Sequence, residues 1–75
     1  MSEFEAILPL KVEGVVELLI IEHKMLFQDA LEYLYSSQLY ALLEQEETKM
    51  WYYSPQMLVH LLETEKNTGT LELPQ

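Results

Sequence analysis

A chain of 75 residues makes one small domain, and domains of this size bury roughly 60% of their unfolded surface and hold only about 3–5 kcal/mol of net stability. The absence of cysteine excludes disulfide staples and thiolate zinc sites, while 49% hydrophobic residues are too many for intrinsic disorder. Thirteen Asp and Glu against four Lys and Arg give a net charge of −9, which repels nucleic-acid phosphates and anionic membrane surfaces alike.

All the cations are lysines, so the planar guanidinium fork that reads phosphates and guanines is missing. From Met1 to Leu8 the chain lacks a clean period; it reads as a frayed arm, or as a short segment that docks Phe4, Ile7 and Leu8 on the core. Pro9 suits the first turn of a helix, where its missing N–H goes unused. A helix is expected from Leu10 to about Lys24, with Val12, Val15, Val16, Leu19, Ile20 and His23 on one stripe. Gly14 weakens that helix by about 1 kcal/mol relative to alanine. Leu18 and Ile21 fall outside the stripe, so the helix is apolar on two sides and its second side is expected to meet a partner subunit.

Lys24 to Phe27 reads as a connection, and the next helix starts near Gln28 with Leu31, Leu34 and Tyr35 on its apolar face. Ser36 and Ser37 then interrupt, because their hydroxyls compete for nearby backbone groups. Ser37 caps a second short helix, Gln38 to Gln45, carrying Leu39, Leu42 and Leu43. The stripe crosses the interruption almost in phase, so one continuous helix is the alternative. Gln45 to Lys49 is polar, and Met50 to Tyr53 reads as an extended segment. Ser54 as N-cap and Pro55 in the first turn open a last helix, which runs to about Lys66. Leu58, Val59 and Leu62 form its stripe, with Met57 and Leu61 beside it, and Gly69 stops it in a left-handed conformation. Thr70 to Leu73 alternates, as a short tail strand or a disordered end. The reading is a single helical domain over residues 1–75, with an arm at 1–8 and a tail at 67–75. No basic leader precedes Ile7 and Leu8, and the longest apolar run, Leu18 to Ile21, is far too short to span a bilayer. The chain reads as cytoplasmic.

No arrangement of residues amounts to an active site, and no catalytic residue, cofactor-binding residue or metal ligand is assigned. His23 and His60 lie on different helices without metal-ligand spacing. His23 reads as a core-edge residue and His60 as solvent-facing. The aromatic residues carry more information: tyrosine and tryptophan, apolar in body and polar at the tip, are enriched at the buried centres of protein interfaces. Trp51 is expected inside, and at least two tyrosines at a contact surface. The candidate interface residues are Leu18, Ile21, Tyr33, Tyr40, Tyr52, Tyr53, Met57 and Leu61.

The segment from Ala30 to Glu63 resembles a family of short bacterial proteins of unknown function, with a pattern A-L-x-x-L-Y-x-S-x-L-Y-x-L-L followed by E-T-x-x-W-x-x-S-P. The matching positions are Ala30, Leu31, Leu34, Tyr35, Ser37, Leu39, Tyr40, Leu42 and Leu43, then Glu47, Thr48, Trp51, Ser54 and Pro55. These are mainly fold-forming residues. The resemblance implies a small protein encoded beside toxin-like genes and carries over no catalytic residue.

The expected fold is all-α, a small bundle of three to four short helices, paired with a second copy. The expected function is a non-enzymatic interaction module, either a self-associating dimer or the antitoxin-like acidic partner of a basic protein. A small-ligand or metal-binding helical protein is the alternative.

Overall fold

The computed structural model describes residues 2–71. The architecture is all-α, as expected: α1 (Glu3–His23), α2 (Phe27–Tyr35), α3 (Gln38–Leu43) and α4 (Pro55–Thr68), with two 3-10 turns, Glu46–Thr48 and Met50–Tyr52, between α3 and α4. No strand occurs among the described residues.

Helix α1 begins at Glu3 rather than at Leu10, which replaces the expected arm by two further helical turns. Ser2 is the cause at the sequence level. Its Oγ accepts a hydrogen bond from Glu5 N at 3.2 Å, and Glu3 and Glu5 place negative charge in the first turn. Pro9 therefore stands inside the helix and cannot donate to the Glu5 carbonyl. The helix continues through it because Phe4, Ile7 and Leu8 are packed against the core on the N-terminal side of the proline. At 1.5 Å per residue α1 is about 31 Å long, nearly the 33 Å of the molecule's longest dimension, and both α2 and α4 pack along it. Lys24, at φ 55°, ends it in the left-handed region, with its N–H on the Leu19 carbonyl.

The chain breaks at Ser36 and Ser37 for the reason anticipated. Ser36 Oγ donates to the Glu32 carbonyl at 2.8 Å, and Ser37 Oγ donates to the Leu34 carbonyl at 2.6 Å while accepting from Tyr40 N at 3.0 Å. One serine closes α2 and the other opens α3. A second cap on α3 comes from far away in the chain: the Glu65 carboxylate accepts from Gln38 N at 2.9 Å and from Leu39 N at 3.1 Å.

Met50 to Tyr53 is not an extended segment. Met50–Tyr52 forms a 3-10 turn and only Tyr53 is extended. With no neighbouring strand to pair with, the backbone satisfies itself locally, Tyr52 N bonding Lys49 O at 3.0 Å and Tyr53 N bonding Met50 O at 3.1 Å. Lys49, at φ 60°, makes the reversal between the two turns. Thr48 Oγ1 ties the segment to α3 by donating to the Leu42 carbonyl at 2.7 Å.

Trp51 is the anchor of this end of the molecule, with 2% of its surface exposed. Its indole N–H donates to the Glu46 carbonyl at 2.8 Å, Phe4 meets it edge-on at 5.4 Å, and Tyr52 stacks on it at 4.2 Å. In α4, Ser54 Oγ accepts from Met57 N at 3.1 Å, Pro55 stands in the first turn, and Gly69 ends the helix at φ 81°. These are the predicted signals, though the helix runs to Thr68 rather than Lys66. Of the predicted tail segment, Thr70 and Leu71 are not in a strand; Glu72 and Leu73 lie outside the described residues.

Helices α1 and α4 meet closely where α4 begins. A Cβ at Gly14 would lie 2.8 Å from Pro55 Cγ, closer than carbon atoms tolerate, so only glycine permits this approach. The glycine that weakens α1 as an isolated helix is thus the residue that lets α4 dock on it.

Candidate functional site

Helices α1 and α2 do not close on each other along their whole length. Val12 and Val16 from α1 and Leu31 from α2 line a groove of about 680 Å³. Leu8 and Pro9 border it on the α1 side, Phe27 and Tyr35 on the α2 side, and Tyr40 of α3 joins the lining. Phe27 and Tyr35 are 61% and 51% exposed, far above what aromatic side chains show in a closed core. The spacing explains the geometry. Phe27, Leu31 and Tyr35 recur every fourth residue and so share one face of α2, while Ala30 and Leu34, one position earlier, are fully buried in the core. Two large aromatic side chains, both more than half exposed, stand on the α2 side of the opening. Tyr35 and Tyr40 rest on each other, ring centres 4.9 Å apart.

The electrostatics of the groove are one-sided. Glu13 is in its lining, and Glu44 lies near enough to Tyr40 to raise its hydroxyl pKa; burial is the larger cause of that rise, with Tyr35 and then Glu44 adding to it. No lysine lines the groove. Three lysines are held elsewhere. Lys11 Nζ donates to the Tyr53 carbonyl at 2.9 Å, Lys49 lies over the Trp51 and Tyr52 rings, and Lys66 over Tyr33. Lys24 sits in the cap at the far end of α1.

A second, smaller and more polar depression of about 380 Å³ lies between the C-terminal ends of α1 and α4. His23 Nε2 contacts Glu63 Oε1 at its edge, tying the two helices together. Tyr33 donates its hydroxyl proton to the Leu62 carbonyl at 3.1 Å, and its pKa is raised by burial first and by Glu63 and Glu65 second. His23 is exposed rather than part of the core edge, and His60 faces solvent as expected. Among the described residues no group of three or more His, Asp or Glu side chains is arranged to hold a metal ion.

The structure scatters the candidate interface residues over several faces. Leu61 is a correction: at 3% exposure it belongs to the core, because α4 packs on α3 as well as on α1 and its apolar arc is correspondingly wide. Leu18, Tyr33, Tyr53 and Met57 are half-buried against the core, and Ile21 and Tyr52 are exposed. Tyr40 alone of the eight lines the groove. Period alone reads Leu31 and Tyr35 as core and Phe27 as connection, since Leu31 and Tyr35 share a helix with the buried Leu34. The available signal is Phe27, which continues the Leu31 and Tyr35 spacing one turn upstream of Leu31, a single residue before the expected helix start.

No helix among the described residues is long and apolar enough to cross a membrane. Comparison with known proteins returns no matching family model, no matching curated protein and no matching solved structure.

Proposed function

We propose that this chain is a non-enzymatic protein–protein interaction module, working as a self-associating dimer or as the acidic, antitoxin-like partner of a basic protein, in a cytoplasmic setting. The observation that carries the reading is the open apolar groove between α1 and α2, walled by exposed aromatic side chains. Small monomeric proteins rarely leave contiguous apolar surface uncovered, and tyrosine and phenylalanine are among the side chains that interfaces favour. The net charge of −9 supports the acidic-partner version through steering of a basic protein.

The test uses two surface variants of the full chain. Phe27→Ser with Tyr35→Ser strips the groove walls, and Ile21→Glu charges the exposed side of α1 that the sequence pattern marks as a second contact face. Light scattering at high micromolar concentration reads self-association, and affinity capture from the native host reads a partner. A dimer or a captured partner lost in the groove variant and kept in Ile21→Glu places the contact in the groove. Loss in Ile21→Glu alone moves the contact to the outer face of α1, and a monomer that captures nothing in any form ends the proposal.

The groove's volume also falls within the range of small-molecule sites, which keeps a ligand-binding helical protein as a second reading. Native mass spectrometry of the purified protein separates the two, a retained small molecule favouring the ligand.

A further inference from the structure

We propose that the α1–α2 groove receives a single amphipathic helix whose apolar face is flanked by lysine or arginine; this rests on the reading of the groove as a protein-docking surface and names the class of partner.

Shape comes first. Phe27 to Tyr35 rise about 12 Å along α2, and Leu8 to Val16 the same distance along α1. A helix presenting apolar side chains at i, i+4 and i+7 spans about 10.5 Å, which matches the length of the walls. Backbone chemistry then selects helix over strand. Both walls are α-helices whose mid-helix N–H and C=O groups are bonded within the helix, apart from the Glu5 carbonyl opposite Pro9, so an extended peptide would bring a row of unpaired backbone groups to a surface without a matching row. A helix arrives with its own backbone satisfied.

Charge selects the flanks. Glu13 is the charged residue in the lining, no lysine lines the groove, and the net charge of −9 adds a field of the same sign. A cation flanking the apolar stripe would meet Glu13 at the groove, and the others the negative field of the chain. The chain's own exposed helical face does not have this character. Leu10 and Ile21, 65% and 62% exposed on α1, are accompanied by the exposed Glu17, so a second copy would bring acid against acid.

The probe is a synthetic amphipathic helix of leucine and lysine, about 18 residues long, long enough to fold on contact, with a control in which every lysine is glutamine. Binding is read by fluorescence anisotropy with the labelled peptide against the full chain. The leucine–lysine peptide is expected to bind about tenfold more tightly than the glutamine control at low salt. That margin should shrink severalfold as salt screens the charges. Glu13→Gln should narrow it too, and Phe27→Ser with Tyr35→Ser should weaken both peptides about tenfold. Equal binding of the two peptides overturns the cationic assignment and leaves the groove as an apolar docking surface. Unchanged binding to the groove variant, or binding of neither peptide, overturns the helix proposal. In those cases light scattering on the same variant decides the fate of the wider reading: a dimer broken by the groove substitutions means a second copy covers the groove, and an unchanged monomer removes the docking reading itself. Co-sedimentation with phosphatidylglycerol vesicles through the same groove residues would assign the surface to lipid and overturn both.

Discussion

Helix α1 has two long apolar contacts, one with α4 and one with α2, and they end differently. Against α4 it is close at one point, where Gly14 admits the Pro55 ring, and the gaps along that contact, about 230 and 380 Å³, are smaller than the groove. Against α2 it leaves the groove of about 680 Å³, with Phe27 and Tyr35 along its outer edge. Both contacts use the same kinds of residue, so hydrophobicity does not distinguish them. The local side chains do: at Gly14 a missing Cβ makes room for the Pro55 ring, while Phe27 and Tyr35 stand more than half exposed beside the groove. The closer contact stabilises the fold and the more open one leaves surface to bind with.

The largest effect is expected outside both contacts, at Trp51 in the 3-10 turn that packs on the start of α1. Trp51→Ala removes the side chain on which Phe4 and Tyr52 pack, and losing a buried tryptophan costs about 3–5 kcal/mol, as much as a domain of this size holds in total. Circular dichroism should show a largely unfolded chain; a cooperative melt near that of the wild type would mean that Trp51 does not anchor the core and that stability resides in the two helix contacts.

Gly14→Ala tests the close approach itself. In an isolated helix the change would gain about 1 kcal/mol. Here the new methyl meets a rigid ring, and overpacking of this kind costs about 1–3 kcal/mol, so a net loss of about 1 kcal/mol is expected in urea unfolding. Pairing it with Pro55→Ala should recover part of the loss, a non-additivity that independent sites would not show. A stabilised Gly14→Ala protein would refute the argument.

Glu65→Ala sharpens the comparison from a third contact, that between α3 and α4. Its carboxylate caps two N–H groups at the start of α3, and loss of a cap costs about 0.5–2 kcal/mol. Amide hydrogen exchange should quicken at Gln38 and Leu39 first; protection unchanged there would show that Ser37 alone suffices. The smallest effect is predicted for the open groove. Phe27→Ser with Tyr35→Ser should shift stability by no more than about 0.5 kcal/mol per site, because both side chains are more than half exposed. A loss as large as that of Gly14→Ala would make the groove wall part of the core and remove the contrast.

Much of this fold was legible in short windows of the chain. The Ser36–Ser37 break, the Ser54–Pro55 start, the Gly69 stop and the burial of Trp51 all follow from local chemistry: hydroxyls that compete for backbone groups, a proline where no N–H is needed, a glycine free to take positive φ, and a large ring that must be shielded from water. Other features depend on residues distant in sequence. Pro9 lies within a helix because Phe4 finds Trp51, and Glu65 caps a helix that ends before Glu44. Gly14 is required because Pro55 arrives beside it, and Leu61 is core because α4 touches two helices. Period told which residues of α2 were apolar; it did not tell that Ala30 and Leu34 would be covered while Phe27 and Tyr35 stayed open. That division depends on where α1 lies, and only the packed molecule decides it, since burial is a property of pairs of surfaces and a sequence window holds one of them.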